Sequence, residues 1–457
     1  MKRALPILLI LNLFLSCERE PEPVPVIPVT GVTLTPERLD LFVGDSTAVK
    51  ASVIPADATD TTLFWSSSDF SVVSVSGGAI AAIAPGEAEI SVTSQDGDFR
   101  ATCRVSVSYY QSSDYSRDGE VICLQEAAEG PGINIIFLGD GFTDRDMEPG
   151  GRYERIMQDW MEQFFIYEPY RSFRNRFNVF TVKVVSRNAS FKIPGSDRRL
   201  TEDLTDGTTA DFGNALSVRR DVCHTYANRV PNPRKQGLKI CVFTNARASL
   251  GRSFCSYAPD YCLALILTPD RPLINHELGG HGLGYLGDEY VENQQYITNT
   301  TSIAGMAEWG AYSNLDLESD PEKVRWAHFL KDPRYAEEGL GVFEGGALYA
   351  FGVYRPSMNS LMNSHGRKGA VFNAPSREAI YKNIMHWSAG PDWTYDYEEF
   401  VKADEAGRKQ AVEYAAMTRS SVAAGNDTEP GLPPIYLDDD SVKEIRVTKD
   451  GKVTLIR

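Results

Sequence analysis

The feature that most constrains the fold is a change of hydrophobic pattern near residue 110. Before it, residues 29–107 form short runs that alternate apolar and polar side chains, separated by turn sequences such as Gly77-Gly78 and Pro85-Gly86. This period of two indicates β-strands, and several short strands at regular spacing predict a small β-sandwich. After it, apolar runs alternate with segments of helical spacing. The chain is therefore predicted to be multidomain, with an α/β domain after the sandwich.

The second region, 110–425, is predicted to be one α/β domain with a mostly parallel sheet. Four apolar runs have the length of buried strands, at 133–138, 177–185, 238–244 and 262–268. Helices are predicted over 152–165 and 210–227. A C-terminal tail, 426–457, adds short strands at 445–447 and 453–456. The chain carries neither a GxGxxG sequence nor a Walker Lys-Ser/Thr pair at the first strand, which argues against nucleotide binding.

Segments spread over residues 29–107 resemble the bacterial immunoglobulin-like group 2 domain. They are Val32-Thr33-Leu34, Trp65-Ser66-Ser67-Ser68-Asp69, Val72-Val73-Ser74-Val75 and Ala84-Pro85-Gly86-Glu87-Ala88. The resemblance covers the whole predicted sandwich. It implies a spacer or an adhesive module and no catalytic chemistry.

The N-terminus is predicted to direct export. Lys2 and Arg3 precede an apolar stretch that is shorter than the roughly 20 residues of a membrane span and has the dimensions of a secretory signal. Its end, Phe14-Leu15-Ser16-Cys17, resembles a bacterial lipoprotein signal, which implies a signal peptide over 1–17 and lipidation of Cys17. Residues 18–28 are rich in Pro and Glu and predict an extended tether. The expected location is the outer membrane or cell surface of a bacterium, facing the periplasm or the exterior; an ordinary secretory signal is the alternative.

Export places the other six cysteines in an oxidising compartment, where disulfides form. Cys255 and Cys262 are close enough in sequence to bridge a hairpin, and the remaining pairings stay open. A zinc site made of thiolates is not expected, because the chain has no CxxC pair. The net charge of −16 gives no basic footprint for nucleic acid.

The strongest chemical motif is His276-Glu277-Leu278-Gly279-Gly280-His281. It is close to the HExxH zinc signature, but its histidines are five residues apart instead of four. In a regular α-helix, at about 100° per residue, that spacing turns the second ring about 140° away from the first. A π-bulge absorbs one extra residue, and glycine tolerates such distortion. We therefore predict a distorted turn at 278–281 that returns both rings to one face.

A zinc site would need a third ligand beside His276 and His281. Asp288 and Glu289 follow at a distance that allows either carboxylate to serve, and the sequence alone leaves that choice open. Three protein ligands with one open position form the catalytic arrangement of Zn²⁺, in which Glu277 would act as the base for an attacking water. If the helix did not bulge, Glu277 would lie four residues before His281 and could replace His276 as ligand.

The region around this motif resembles the IgA-peptidase family of zinc metallopeptidases. The segments that carry the resemblance are Gly139-Asp140-Gly141-Phe142-Thr143, Asp288-Glu289-Tyr290, Arg355-Pro356 and Ser360-Leu361-Met362. The resemblance spans about 115–395 and implies a zinc endopeptidase with a metzincin-like catalytic half. It implies Asp288 as third ligand, Glu277 as base and Met362 as the methionine of a Met-turn beneath the metal.

Three further residues are candidates for substrate or transition-state contacts: Tyr290, Arg355 and His365. Structural roles remain the alternative for each. The expected function is a lipid-anchored, zinc-dependent endopeptidase that hydrolyses extracellular proteins or glycoproteins through a metal-activated water, attached to the membrane by its N-terminal lipid. The competing hypothesis is a non-catalytic surface binding or adhesion protein with a degenerate peptidase fold.

Overall fold

The computed structural model describes residues 25–189, 199–203, 216–245, 252–267, 272–363, 370–390, 392–420, 435–437, 441–447 and 453–457. The predicted signal peptide with Cys17, most of the tether, and His365 lie outside these ranges. The chain divides after Tyr109 into two compact units. Within the described ranges, no helix combines the length and the apolar character needed to cross a bilayer.

The first unit is built from nine strands. They are β1 Gly31–Thr35, β2 Arg38–Phe42, β3 Ser46–Ala48, β4 Lys50–Ile54, β5 Leu63–Ser67, β6 Val73–Ser76, β7 Ala79–Ala82, β8 Gly86–Ser94 and β9 Arg100–Ser108. A four-stranded sheet of order β2-β9-β8-β5 accompanies a three-stranded sheet β3-β7-β6 and the pair β1-β4. Alternate side chains such as Ile90, Val92 and Val105 are fully buried between them. The predicted β-sandwich is confirmed.

The second unit combines sheets with helices. Its strands are β10 Val121–Gln125, β11 Ile133–Asp140, β12 Phe177–Val182, β13 Thr201–Asp203, β14 Leu216–Arg219, β15 Leu238–Thr244, β16 Phe254–Ala258, β17 Tyr261–Ile266, β18 Val291–Tyr296, β19 Phe343–Gly346, β20 Leu348–Arg355, β21 Ile435–Tyr436, β22 Glu444–Val447 and β23 Val453–Ile456. Its α-helices are α1 Arg152–Phe164, α2 Arg220–Ala227, α3 Thr300–Glu308, α4 Ala327–Lys331, α5 Ala374–Ala389, α6 Tyr397–Ala403 and α7 Glu405–Ser420, and a π-helix covers Asn275–Leu283.

A seven-stranded mixed sheet of order β10-β12-β11-β15-β17-β16-β21 forms the centre of this unit. Four consecutive strands, β12, β11, β15 and β17, are parallel. On either side of them, β10 runs antiparallel to β12 and β16 runs antiparallel to β17. Strand β11 is buried on both faces, as its continuous apolar sequence predicts. Ile135 and Phe137 pack with α1, the π-helix and α5, whereas Ile136 and Leu138 pack with α2 on the opposite face.

Two sequence predictions differ from this architecture. In the described part of the predicted helix 210–227, residues 216–219 form strand β14, which pairs with β13 and with β22 of the C-terminal tail, and helix α2 begins at Arg220. Strand β16, which the sequence pattern did not reveal, pairs with β17 through a tight hairpin. The two strands predicted in the tail are present as β22 and β23, and β21 joins the central sheet.

The structure also bears on the cysteine pairings that the sequence left open. All six described cysteines are free thiols, including Cys255 and Cys262 on neighbouring strands. Cys255 faces Ala264 in the β-ladder, and Cys262 faces Tyr257, so the two cysteines are offset along the ladder instead of directly opposite. A disulfide needs its two Cα atoms within about 7 Å and converging Cβ atoms, a geometry that sequence proximity alone does not provide.

Candidate metal centre

The π-helix Asn275–Leu283 carries the two histidines of the motif. Its wider turn, with hydrogen bonds from residue i to i+5, is continued by the amide of Gly284, which donates to the Gly279 carbonyl at 3.0 Å. Residues five apart therefore share a face. The predicted distortion at 278–281 is confirmed, and it extends through nine residues instead of one inserted position.

Three side chains converge on one point. The Nε2 atoms of His276 and His281 are 3.2 Å apart. Asp288 Oδ1 lies 3.1 Å from the first and 3.3 Å from the second. Tetrahedral zinc with ligands at about 2.0–2.1 Å needs ligand atoms about 3.3–3.4 Å apart, so this triangle has the dimensions of a three-ligand zinc site. The chemistry of the donor set, two imidazoles and a carboxylate, also fits zinc.

Backbone carbonyls orient both imidazoles. His276 Nδ1 lies 3.0 Å from the Leu361 carbonyl oxygen, and His281 Nδ1 lies 2.8 Å from that of Leu286. In a neutral imidazole with its proton on Nδ1, the N–H donates to this carbonyl. The Nε2 lone pair then points to the position shared by His276, His281 and Asp288. Ligand histidines in metal sites are held in this way.

The choice between Asp288 and Glu289 follows from the surroundings of each carboxylate. Asp288 faces the imidazoles. Glu289 points away from them and accepts hydrogen bonds from Ser360 Oγ at 2.7 Å and from the side-chain amides of Asn314 and Asn373, both at 2.9 Å. Glu289 is therefore committed to neighbouring loops, and Asp288 is the available ligand.

The 360–362 turn lies against the π-helix. A Cβ atom on Gly280 would come within 2.2 Å of Met362 Sδ and 2.8 Å of its Cε. Met362 is fully buried, and its carbonyl accepts a hydrogen bond of 2.9 Å from the Glu289 amide. The extra glycine of the motif thus makes room for the methionine, in addition to easing the backbone distortion.

Burial and the charges of neighbouring groups shift the pKa values of the cluster. Burial alone would lower the pKa of His276, yet contact with Asp288 and the charge of Glu277 raise it to about 9. Burial alone would raise the pKa of Asp288, but the two imidazoles hold it well below its usual range. Burial raises the pKa of Glu277 to about 7, against the opposing charges of the imidazoles. Neither Glu277 carboxylate oxygen has a hydrogen-bond partner among the described residues.

The other predicted contact residues lie in different settings. Tyr290 is buried beside the cluster, with its ring stacked on that of His276 at a centroid distance of 6.4 Å. Burial raises its pKa well above the usual range, so its hydroxyl stays protonated. Arg355 donates to the carbonyls of Glu344 and Gly345 at 3.0 and 2.6 Å, and its charge also acts on Glu289. The two hydrogen bonds join the end of β20 to strand β19.

Sequence reasoning missed the residues that hold the ligands in place. Tyr170 donates to the Gly279 carbonyl at 2.6 Å, and the Asn275 amide donates to the carbonyl of Phe164 in α1 at 2.7 Å. Together with Asn314 and Asn373, these side chains come from segments far apart in the chain. No local motif marks them, because each acts through a backbone carbonyl or a partner that only the fold brings near.

Comparison with known proteins identifies the first unit. Residues 28–105 match the bacterial Ig-like domain (group 2), so the chain contains a domain of that family. An uncharacterised protein of Clostridium acetobutylicum is 40% identical over 80 residues, which cover 17% of this chain and 20% of that protein. An Ig-like virion protein of Serratia phage KSP90 is 35% identical over 85 residues, 18% of this chain and 33% of that protein. The chain thus spans a third or less of these relatives.

Solved structures similar to parts of the chain include the S-layer protein SbsC. Its domains 4 and 5 match at 15% identity with a TM-score of 0.15, covering 17% of this chain and 51% of that structure. Its domains 5 and 6 match at 10% identity with a TM-score of 0.17, covering 42% of this chain and 91% of that structure. TM-scores this low identify no shared fold for the whole chain. The family match ends at residue 105, so the region of His276 is interpreted from its own geometry.

Proposed function

We propose that the second unit is a zinc-dependent endopeptidase. The observation that carries the proposal is the triangle of His276 Nε2, His281 Nε2 and Asp288 Oδ1, with sides of 3.1–3.3 Å, in which both imidazoles are oriented by backbone carbonyls. Three ligands leave one position open, the arrangement found in catalytic zinc sites. The resemblance of the 115–395 region to the IgA-peptidase family agrees with this assignment.

Two side chains beside the proposed ligands, Glu277 and Tyr290, would take part in peptide hydrolysis. When bound, zinc polarises the substrate carbonyl and makes water acidic enough to lose a proton near neutral pH. Glu277 accepts that proton on its carboxylate and delivers it to the leaving amine, for which a pKa of about 7 is well matched. Tyr290, protonated at neutral pH, donates a hydrogen bond to the oxygen that becomes negative in the transition state.

We further propose that this activity lies outside the cytoplasm. The bacterial Ig-like domain supports a position at the bacterial cell surface, where it would act as a spacer. A lipid on Cys17 would hold the chain to the outer membrane or cell surface, with residues 18–28 as tether. The substrates are then extracellular proteins or glycoproteins, cleaved within the chain.

Substitution of Glu277 tests the mechanism. Loss of a general base lowers the rate by about 10²–10⁴-fold. We expect Glu277→Gln to lose cleavage of a peptide library by that factor while keeping the zinc content of the wild type, because Glu277 is not a ligand. Glu399→Gln, at an exposed glutamate of α6, is the matched control and should cleave normally. Full proteolysis by Glu277→Gln would overturn the mechanism.

A non-catalytic surface binding protein is the competing function. Two observations favour it: the bacterial Ig-like domain, and the burial of the cluster, in which His276, Glu277 and His281 are fully inaccessible. A binding protein would keep its entire function in the Glu277→Gln variant. Cleavage of any library peptide by the wild type, lost in that variant, decides for the enzyme.

A further inference from the structure

Glu289 is a fully buried carboxylate that does not face the proposed metal site. Its Oε1 accepts hydrogen bonds from the side-chain amides of Asn314 and Asn373, and its Oε2 accepts from Ser360 Oγ and, at 3.2 Å, again from Asn373. All of these hydrogen-bond donors are neutral, although the charge of Arg355 also acts on Glu289. Burying a carboxylate among neutral donors carries a desolvation cost, which suggests that the arrangement serves a purpose beyond packing.

These donors belong to three separate segments of the chain. Asn314 also accepts from the Gly287 amide at 2.9 Å and donates to the Gly287 carbonyl at 2.8 Å. Asn373 is the N-cap of α5, where its side-chain oxygen accepts from the Ser376 amide. The carboxylate of Glu289 therefore joins the loop that carries Asp288 to the start of α5.

The same carboxylate reaches a second ligand through the 360–362 turn. Ser360 donates to Glu289 from the side chain, and the Glu289 amide donates to the Met362 carbonyl at 2.9 Å. Between these two contacts lies Leu361, whose carbonyl accepts from His276 Nδ1. The main chain of Asp288 is fixed from the other side by the Ala347 amide, which donates to its carbonyl at 2.8 Å. One buried side chain thus connects the supports of both Asp288 and His276.

We infer that Glu289 is the positioning residue of the metal centre, which sets the orientation of Asp288 and His276 through Asn314, Asn373 and Ser360. The inference rests on the proposed zinc site. A carboxylate suits this role because it offers two oxygens to several donors at once. Glutamine has the same shape, but its NH₂ group would face other hydrogen-bond donors and could not accept from them. The loops that the carboxylate connects would then separate.

The test compares zinc affinity with stability. Changes to residues that orient metal ligands weaken metal binding by about 10–100-fold. We expect Glu289→Gln to weaken zinc binding by that factor in chelator competition, and Ser360→Ala to weaken it less while folding normally. Glu338→Gln is the control, because Glu338 also has a buried carboxylate but pairs with Arg377 instead of Asn314, Asn373 or Ser360. It should lower the unfolding temperature and leave zinc affinity unchanged.

A second readout needs no metal. The Nδ1–H proton of His276 should give a protected NMR resonance in the wild type, and it should shift or broaden in Glu289→Gln and Ser360→Ala. The inference is overturned if both variants keep the wild-type resonance, or if the wild type binds zinc and both variants bind it equally well. If the wild type binds no zinc, the proposed function is contradicted instead. The His276 resonance still tests Glu289 in that case: a changed resonance in the variants supports its positioning role, and an unchanged one overturns it.

Discussion

At the scale of single residues, Gly280 explains the unusual spacing of the motif. An extra residue between the histidines moves the second ring off the shared face of a regular helix, and the π-helix brings it back. Contact requires glycine at this position, because Met362 occupies the space that a side chain would fill.

A methyl group at Gly280 should disturb this contact. We expect Gly280→Ala to lower the free energy of unfolding of the metal-free protein by about 1–3 kcal/mol, the usual cost of overpacking a buried site. Denaturant unfolding measures the effect. Gly305→Ala is the control, because nothing lies within 4 Å of its added Cβ in helix α3. That change should stabilise the protein by about 0.5–1 kcal/mol.

The contact with Met362 gives this prediction a specific signature. Shortening the methionine in a Met362→Ala background should remove most of the penalty of Gly280→Ala, since the clash is with its sulfur and terminal methyl. Equal penalties in both backgrounds would show that backbone conformation alone requires the glycine.

Part of the site could be predicted residue by residue, and part could not. His276, Glu277 and His281 are recognisable because their chemistry is local to one segment. The choice of Asp288 over Glu289 was open, since it depends on Ser360, Asn314 and Asn373. Arg355 looked like a substrate contact, yet its guanidinium donates to two carbonyls of the neighbouring strand β19.

At the scale of elements, the strands of the central sheet were the most predictable part. β11 and β15 are buried on both faces, so their continuous apolar runs mark them clearly. β14 was mistaken for helix, because its strand conformation depends on pairing with β13 and β22, distant in sequence. β15 also contains one residue that contradicts its apolar pattern, the buried Lys239.

Lys239 should make stability depend on pH. Burial lowers its pKa to about 8, and its ammonium lies 4.1 Å from the ring centroid of Trp387. In the unfolded chain, lysine has a pKa of about 10.4, so Lys239 binds more proton there than in the folded protein between about pH 8 and 10.4. The contribution of Lys239 to the free energy of unfolding is therefore lowest below pH 8 and rises with pH across this range. From pH 8 to 9.5 we expect the wild type to gain about 1.5 kcal/mol relative to Lys239→Met.

Unfolding curves of both proteins at each pH measure this difference. Lys235→Met is the control, because Lys235 is exposed in the preceding turn and should show no such gain. A constant difference between wild type and Lys239→Met from pH 8 to 9.5 would mean that Lys239 keeps an ordinary pKa.

At the scale of the whole molecule, the chain joins a bacterial Ig-like domain to a larger unit that contains every residue of the proposed metal centre. The boundary near residue 110 was visible in the sequence, because the period of the apolar pattern changes there. The C-terminal tail was harder to assign. Its strands complete two sheets of the second unit, a role set by long-range pairing.

The reactivity of the cysteine thiols tests their burial in both units. Cys123 is exposed, whereas Cys103, Cys223, Cys241, Cys255 and Cys262 are buried free thiols. Iodoacetamide should therefore alkylate Cys123 alone among these six in the native protein, and all six after unfolding without reductant. Peptide mapping by mass spectrometry distinguishes the sites. A requirement for reductant at Cys255 or Cys262 would reveal a disulfide and contradict the structure.

X-ray absorption spectroscopy of the zinc-loaded protein would identify the metal ligands. We expect about one zinc per chain, surrounded by nitrogen and oxygen at about 2.0–2.1 Å, with the outer-shell scattering of two imidazoles. That imidazole signal should fall by half in His281→Ala. Failure to bind zinc stoichiometrically, or sulfur scattering at about 2.3 Å, would contradict the assignment of His276, His281 and Asp288 as the metal ligands.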